Sequence, residues 1–329
     1  MTCRNHLISC TTHISLHAHR KGNQMNLPPQ FIKKVHRIFG DSGRQWLPNL
    51  PAIAARCREK WELPRGEICP HMSMNYIEFT TTPSGAPVAL KIGVPHAELF
   101  TEMEALRLYA GRKAARLLDA DRDLGAILMQ RMVPGTMLWQ LDDNREETEI
   151  AASIIAELTG PVPPQHDLPT FAQWIESAFR LTRTEWDPEE RMPRDLLVRA
   201  ERAFAEITGN FDDVLLHGDL HHENILLDER DGWLAIDPKG VIGPRCLEVG
   251  RYLQNQLPGD LPLETRIAMI RERISIFSTA LDYPPRTIVA AFLIDAVLSH
   301  CWSFEDGELG DGWQHSIDLA QVICPNFGL

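Results

Sequence analysis

The residues with the most chemical content lie close together. His217, Gly218, Asp219, Leu220, His221, His222, Glu223 and Asn224 form one polar run, and Asp237 follows between Ile236 and Pro238. An apolar stretch at 214–216 leads into the run, another at 225–227 leaves it, and 233–236 leads to Asp237. This pattern sets polar side chains at the ends of buried strands, where rigid elements hold them. Two carboxylates and an amide so placed suit transfer of a phosphoryl group to a hydroxyl. One carboxylate must stay off the metal and accept the hydroxyl proton, a role that falls to Asp219. Another must hold Mg²⁺ against the phosphate charge, a role that falls to Asp237. The amide oxygen of Asn224 adds a metal ligand without adding charge.

The elements that must position these groups follow from periodicity. Residues 76–82 alternate and are β-prone, 83–87 form a turn, and Val88-Ala89-Leu90-Lys91-Ile92 is a second strand, so the three make a hairpin. An acidic amphipathic helix at 96–110 ends before Gly111, and short strands follow at 115–118 and 124–132. Residues 30–61 read as helical, with Phe31, Val35, Ile38 and Phe39 on one face and with Pro48 and Pro51 as interruptions. Beyond Pro134-Gly135, helices are predicted at 144–159, 169–183, 188–208, 246–256, 262–280, 286–303 and 312–322. The sum is an α+β chain: N-terminal helices and a small β-sheet lobe with one inserted helix over 25–132, then a larger helical lobe over 133–329.

Composition sets the outer bounds. With 329 residues, 44% of them hydrophobic and 24% charged, the chain has material for two domains of ordinary globular character. No apolar run approaches the length of a membrane-spanning helix. The seven cysteines are scattered without a CxxC pair, which fits reduced thiols in a cytoplasmic protein. A net charge of −12 argues against nucleic acid, which needs a basic footprint. It suits a cationic small-molecule substrate, and it equally suits plain solubility. Residues 1–24 carry Arg4, Arg20 and Lys21, no acid and no unbroken apolar region, so they are expected to be a disordered extension, with Met25 as an alternative start.

Protein kinases share the His-x-Asp-x-x-x-x-Asn spacing followed by a metal-binding Asp. More specifically, His-Gly-Asp-Leu-His-x-x-Asn followed by Ile-Asp-Pro resembles the aminoglycoside phosphotransferase branch of the kinase-like superfamily. The longer runs Leu-His-Gly-Asp-Leu-His-His-Glu-Asn-Ile-Leu and Gly-Trp-Leu-Ala-Ile-Asp-Pro-Lys-Gly resemble the aminoglycoside/hydroxyurea resistance kinases, whose named activity is streptomycin 6-phosphorylation. Ala-Leu-Lys91-Ile and Cys301-Trp302-Ser303-x-Glu305-Asp306-Gly307 carry the likeness further, from about Leu27 to the C-terminus. The resemblance implies a two-lobed protein-kinase-like fold, ATP as donor and Mg²⁺ as cofactor. It implies that Lys91 contacts the ATP phosphates and that Glu104 pairs with it, with Glu98 and Glu102 as competitors. It makes Gln130, Arg131 and Met132 the hinge against adenine. Residues 70–77 stand where a Gly-rich loop is expected but lack GxGxxG, so Ser73 and Asn75 are the candidate polar contacts there.

Asp295, Glu305 and Asp306 are candidate acceptor-binding acids, because carboxylates suit a polycationic or guanidinium-bearing molecule. Other readings remain open. His217, Asp219, His221 and His222 offer zinc ligands for a hydrolase, although this leaves Asn224, Asp237 and Lys91 without roles. A kinase of an endogenous sugar, cyclitol or amino alcohol uses the same residues, and a nucleotide-binding regulator without turnover would keep only some of them. His217 is expected to orient the loop backbone, and Trp302 and Trp313 to fill core. A chain beginning at Met25 is expected to keep full stability and activity; loss of either on removing 1–24 would show that the extension belongs to the folded protein.

Overall fold

A computed structural model describes residues 25–70, 72–184, 193–305 and 311–329, so the extension at 1–24 lies outside the described residues. The chain divides into two units. The first runs to Leu99 and takes in Leu118–Arg131; the second comprises Phe100–Leu117 and Met132–Leu329.

The first unit opens with a long helix, α1 (Pro29–Lys60), and continues through β1 (Glu67–Ile68), β2 (Tyr76–Thr81) and β3 (Pro87–Ile92). Helix α2 (Ala97–Tyr109) passes into the second unit, and β4 (Leu117–Asp121) and β5 (Ala126–Gln130) complete the sheet of the first. The strand order is β1-β2-β3-β5-β4. The expected hairpin is present, with Tyr76 opposite Ile92 and Thr81 opposite Pro87. A separate apolar core joins Phe31, Val35, Leu50 and Ala54 of α1 to Tyr76, Leu90, Ile92 and Leu128 of the sheet.

Helix α1 departs from expectation. It is not interrupted at Pro48 or Pro51, both of which lie inside it; its only non-helical residue is Gly40, at φ 52° and ψ −127°. A positive φ is open to glycine at little cost, so the break falls there. An interior proline costs about 3 kcal/mol. Burial of Trp46 and Leu50, worth roughly 1.5–3 kcal/mol each, offsets a comparable amount, and Ala54 and Cys57 extend the same buried face.

The second unit continues with β6 (Pro134–Met137), α3 (Asn144–Leu158), α4 (Phe171–Thr184), α5 (Arg194–Asn210), β7 (Asp213–Leu216), β8 (Ile225–Asp228), β9 (Gly232–Ala235) and β10 (Val241–Pro244). It ends with α6 (Val249–Gln254), α7 (Leu263–Leu281), α8 (Pro285–Glu305) and α9 (Asp311–Ile323). The helices fall close to their predicted positions. Helix α8 is the centre of this unit: every residue from 288 to 301 is buried, so it is apolar almost all round, as a core helix must be. Helices α4, α5, α6, α7 and α9 all pack on it. No described helix is long and apolar enough to cross a membrane.

Two small sheets carry the polar segments. Strands β7 and β10 pair antiparallel, with Leu216 opposite Val241. Strands β8 and β9 pair antiparallel, with Ile225 opposite Ala235, and β6 flanks β8. The segments 217–224 and 236–240 therefore connect the same two sheets. Helix α6 approaches α8 closely at Gly250, where a Cβ would stand 2.6 Å from both Ala291 O and Asp295 Cβ. Gly250→Ala must push the two helices apart, and a loss of about 1–3 kcal/mol in unfolding free energy is expected from urea titration. A change under about 0.5 kcal/mol, within the scatter of neutral surface substitutions, would contradict this packing.

Candidate active site

The polar loop begins where β7 ends. Gly218 has φ 79°, and a Cβ there would lie 2.7 Å from Val241 Cγ1 and 3.0 Å from Trp174 Cη2, so both conformation and space call for glycine. The backbone N–H groups of His217 and Gly218 donate to Glu248, at 2.6 Å to Oε2 and 3.0 Å to Oε1. Burial pushes the Glu248 carboxyl up to about 7, against the opposing pull of these backbone donors.

The loop is sewn to the segment that carries Asp237. The His217 carbonyl accepts from the N–H groups of Lys239 at 2.8 Å and Gly240 at 3.2 Å. His217 Nε2 lies 2.8 Å from Ile236 O, and its Nδ1 accepts from Asp219 N–H at 3.3 Å. These bonds assign the neutral Nε2–H tautomer, and burial lowers the imidazole to about 4. Ile236 N–H donates to the Asn224 carbonyl at 2.9 Å, which sets Asn224 beside the residue preceding Asp237. Asp237 itself has a left-handed backbone, φ 57°.

The Asn224 amide nitrogen donates to Asp219 O at 2.9 Å, so its oxygen is the end left for another partner. That orientation fits a metal ligand: Asn224 Oδ1 and the Asp237 carboxylate are a neutral and an anionic oxygen on joined backbone segments, the donor types that suit Mg²⁺. The zinc alternative fits poorly. Both ring nitrogens of His217 are engaged, and His222 Nδ1 lies 3.0 Å from Asn255 Oδ1. Among the described residues no three His, Cys, Asp or Glu side chains are grouped to hold a metal.

Asp219 is partly buried beside the Arg251 guanidinium. Its Oδ1 lies 3.5 Å from Arg251 Nε and 4.0 Å from His221 Nε2. Burial alone would raise its carboxyl, but its neighbours His221, Arg251, Lys239 and His217 together hold it below its usual value. It is therefore anionic at neutral pH, as a proton acceptor must be. His222 supports the loop from beneath: it is fully buried and stacks on Tyr252 with ring centroids 4.0 Å apart.

Lys91 is buried on β3, opposite Ile77 and Ile127, so it is not a surface lysine. Ser73 Oγ accepts from Lys34 Nζ of α1 at 2.7 Å, and the buried Asn75 Oδ1 has no hydrogen-bond partner. Gln130 ends β5 opposite Val88, Arg131 N–H donates to Pro87 O, and Met132 is buried. On α2, Glu104 is held by Arg107, at 2.5 Å and 3.0 Å, while Glu102 is the buried acid and Glu98 is exposed. Asp295 is buried inside α8; its Oδ2 accepts from Gln254 and from Ser299 and lies 3.7 Å from Arg251 Nε. Burial raises its carboxyl despite those partners. The Glu305 side chain and Asp306 lie outside the described residues. Trp302 is only partly buried and makes an edge contact with Trp174 at 5.5 Å.

Sequence reasoning missed Glu248 and Arg251. The signal was present: both are charges inside the apolar run 246–253, and a charge there must have a buried partner.

The family model described as aminoglycoside/hydroxyurea antibiotic resistance kinase matches residues 60–307. A streptomycin 6-kinase of Streptomyces griseus is 27% identical over 288 residues, 87% of this chain and 93% of that protein. A hydroxyurea phosphotransferase of Kitasatospora aureofaciens is 30% identical over 319 residues, 94% of this chain and 89% of that protein. Among solved structures, an amicoumacin kinase in complex with AMP-PNP and Ca²⁺ superposes with a TM-score of 0.57 at 14% identity, covering 85% of this chain and 96% of that one. At that identity the likeness speaks for the fold, which is that of the kinase-like phosphotransferases.

The raised Glu248 carboxyl has a signed consequence. The folded state holds this proton more tightly than the unfolded chain, whose value is near 4.5. The associated stability is present below about 4.5 and is lost as pH rises through about 7, by about 3 kcal/mol at most. Glu248→Gln cannot titrate and offers the two N–H groups a single acceptor. The variant is expected to be less stable by about 1–3 kcal/mol at neutral pH. Denaturant unfolding from pH 4 to 8 should show a stability difference from the parent that narrows as pH rises; a constant difference would contradict the assignment.

Proposed function

Because the chain belongs to the aminoglycoside/hydroxyurea antibiotic resistance kinase family, we propose that it transfers the γ-phosphoryl group of ATP to a hydroxyl of an aminoglycoside, with streptomycin the foremost candidate. The observation that supports the reading is the Asp219 carboxylate, held below its usual value with Arg251 and Lys239 among its neighbours, on a loop whose asparagine uses its amide nitrogen on the loop backbone. In this reading Asp219 accepts the hydroxyl proton as the acceptor oxygen bonds to the γ-phosphorus and the bond to the ADP oxygen breaks. Asn224 and Asp237 would hold Mg²⁺, which supplies charge neutralisation at the phosphates. Lys91 would take the phosphates, Ser73 would contribute a hydroxyl, and Gln130 with Met132 would face adenine. Glu305 and Asp306 are the acids proposed to face a cationic acceptor.

A second acceptor has its own support. The hydroxyurea phosphotransferase relative aligns over 94% of this chain, and Arg251 and Lys239 put positive charge beside Asp219, which gives a small neutral acceptor no disadvantage there.

The test is ADP release from ATP and Mg²⁺ with streptomycin or hydroxyurea, followed by mass spectrometry of the product. One added phosphate on streptomycin is expected. Turnover of hydroxyurea alone would transfer the reading to the second acceptor, and turnover of neither would remove both substrates. Asp219→Asn should lower kcat by roughly 10²–10⁴-fold and leave ATP affinity largely intact. Retained turnover in that variant would show that Asp219 is not the base.

A further inference from the structure

Asp219 and Asp295 are two carboxylates with one guanidinium between them. Arg251 Nε lies 3.5 Å from Asp219 Oδ1 and 3.7 Å from Asp295 Oδ2. These are ion-pair distances, and the nitrogen has no closer hydrogen-bond partner. The far carboxylate is itself fixed, since Asp295 Oδ2 also accepts from Gln254, one helical turn after Arg251, and from Ser299, one turn along α8. The guanidinium is capped on another side by the Trp302 ring, 5.9 Å from its centroid. The tight approach of α6 to α8 at Gly250 brings Arg251 to Asp295.

We propose that Arg251 is a positioning residue for the base Asp219, and that Asp295 serves the reaction by holding Arg251 rather than by binding the acceptor. The proposal rests on the reading of Asp219 as the base. A buried, many-partnered carboxylate is poorly suited to receive a cationic substrate, whose arrival would compete with an arginine already in place. The same carboxylate is well suited to keep that arginine from rotating. A guanidinium held by the fixed Asp295 carboxylate on one side presents a defined orientation to the Asp219 carboxylate on the other. Displacing a reacting group by about 1 Å is enough to cost on the order of 10²-fold in rate, so such a device has a measurable effect.

The arrangement predicts a particular coupling between the two positions. Removing the arginine alone leaves two carboxylates facing each other, and Asp295 should then repel the base. Removing the Asp295 charge as well should relieve that repulsion. The experiment compares Arg251→Met, Arg251→Lys, Asp295→Asn and the double variant Arg251→Met/Asp295→Asn. Each is assayed for slow ATP hydrolysis, with water in the acceptor's place, and for streptomycin phosphorylation; thermal unfolding confirms that each is folded. Arg251→Met is expected to lower kcat by roughly 10- to 100-fold with the KM for ATP within about twofold. Arg251→Lys should recover part of the loss. Adding Asp295→Asn to Arg251→Met should leave kcat unchanged or raise it.

Two results would overturn the proposal: a kcat for Arg251→Met within about twofold of the parent, or losses from the two positions that multiply. A raised KM for streptomycin in Asp295→Asn with kcat intact would return Asp295 to the acceptor site. Asp219→Asn, run in parallel, separates the two levels. If it stays active the base itself is misassigned; if it is inactive while Arg251→Met is active, only the role of Arg251 fails.

Discussion

The carboxylate of Glu248 is the interaction on which the loop geometry rests. At the end of β7 the chain turns away from its strand partner, and the N–H groups of His217 and Gly218 are left inside the protein. A buried donor without an acceptor costs about 1–3 kcal/mol, so this turn exists because one side chain accepts from both. The cost appears on the other partner, as a carboxylate held in a poorly solvated place. Helix α6 begins directly after Glu248 and carries Arg251 one turn on, so the backbone of the loop and the side chain of Asp219 are both referred to the same short helix.

Much of this was legible in the sequence, for identifiable reasons. The helices of the second unit follow apolar periodicity bounded by prolines, and they fall near the predicted positions. Asp219, Asn224 and Asp237 stand out because polar residues interrupt apolar strands. Glu248 and Arg251 do not, because they sit in a run whose period is that of a core helix, and only their pairing reveals them. Periodicity also could not separate Glu102 from Glu104, since both lie on one acidic helix; the structure buries Glu102 and pairs Glu104 with Arg107. The prolines of α1 misled for the opposite reason. Local rules place a break at proline, and the packing of Trp46 and Leu50 on the sheet outweighed them.

The histidines show how support can look like chemistry. His217 uses both nitrogens to bind backbone, and His222 fills a slot against Tyr252 and Asn255. Asn255 in turn is the end of a chain segment organised by Arg273, whose guanidinium donates to the carbonyls of Tyr252, Leu253 and Asn255. Buried polarity here gives a defined shape to a segment that has no regular hydrogen-bond ladder of its own.

The same buried groups compensate one another when the solution is acidified. Below its ordinary value near 6.5, each unfolded histidine takes up a proton that buried His217, lowered to about 4, refuses; His222 behaves likewise, so both favour unfolding as pH falls. Glu248 acts in the opposite sense, because its folded form takes up a proton before its unfolded form does, and Glu147 and Asp295 share that direction. Between about pH 6.5 and 4.5 the two sets titrate together with opposite sign. Gains on the carboxyl groups oppose losses on the imidazoles, so the way these charges are buried sets the two kinds of group against each other in mild acid.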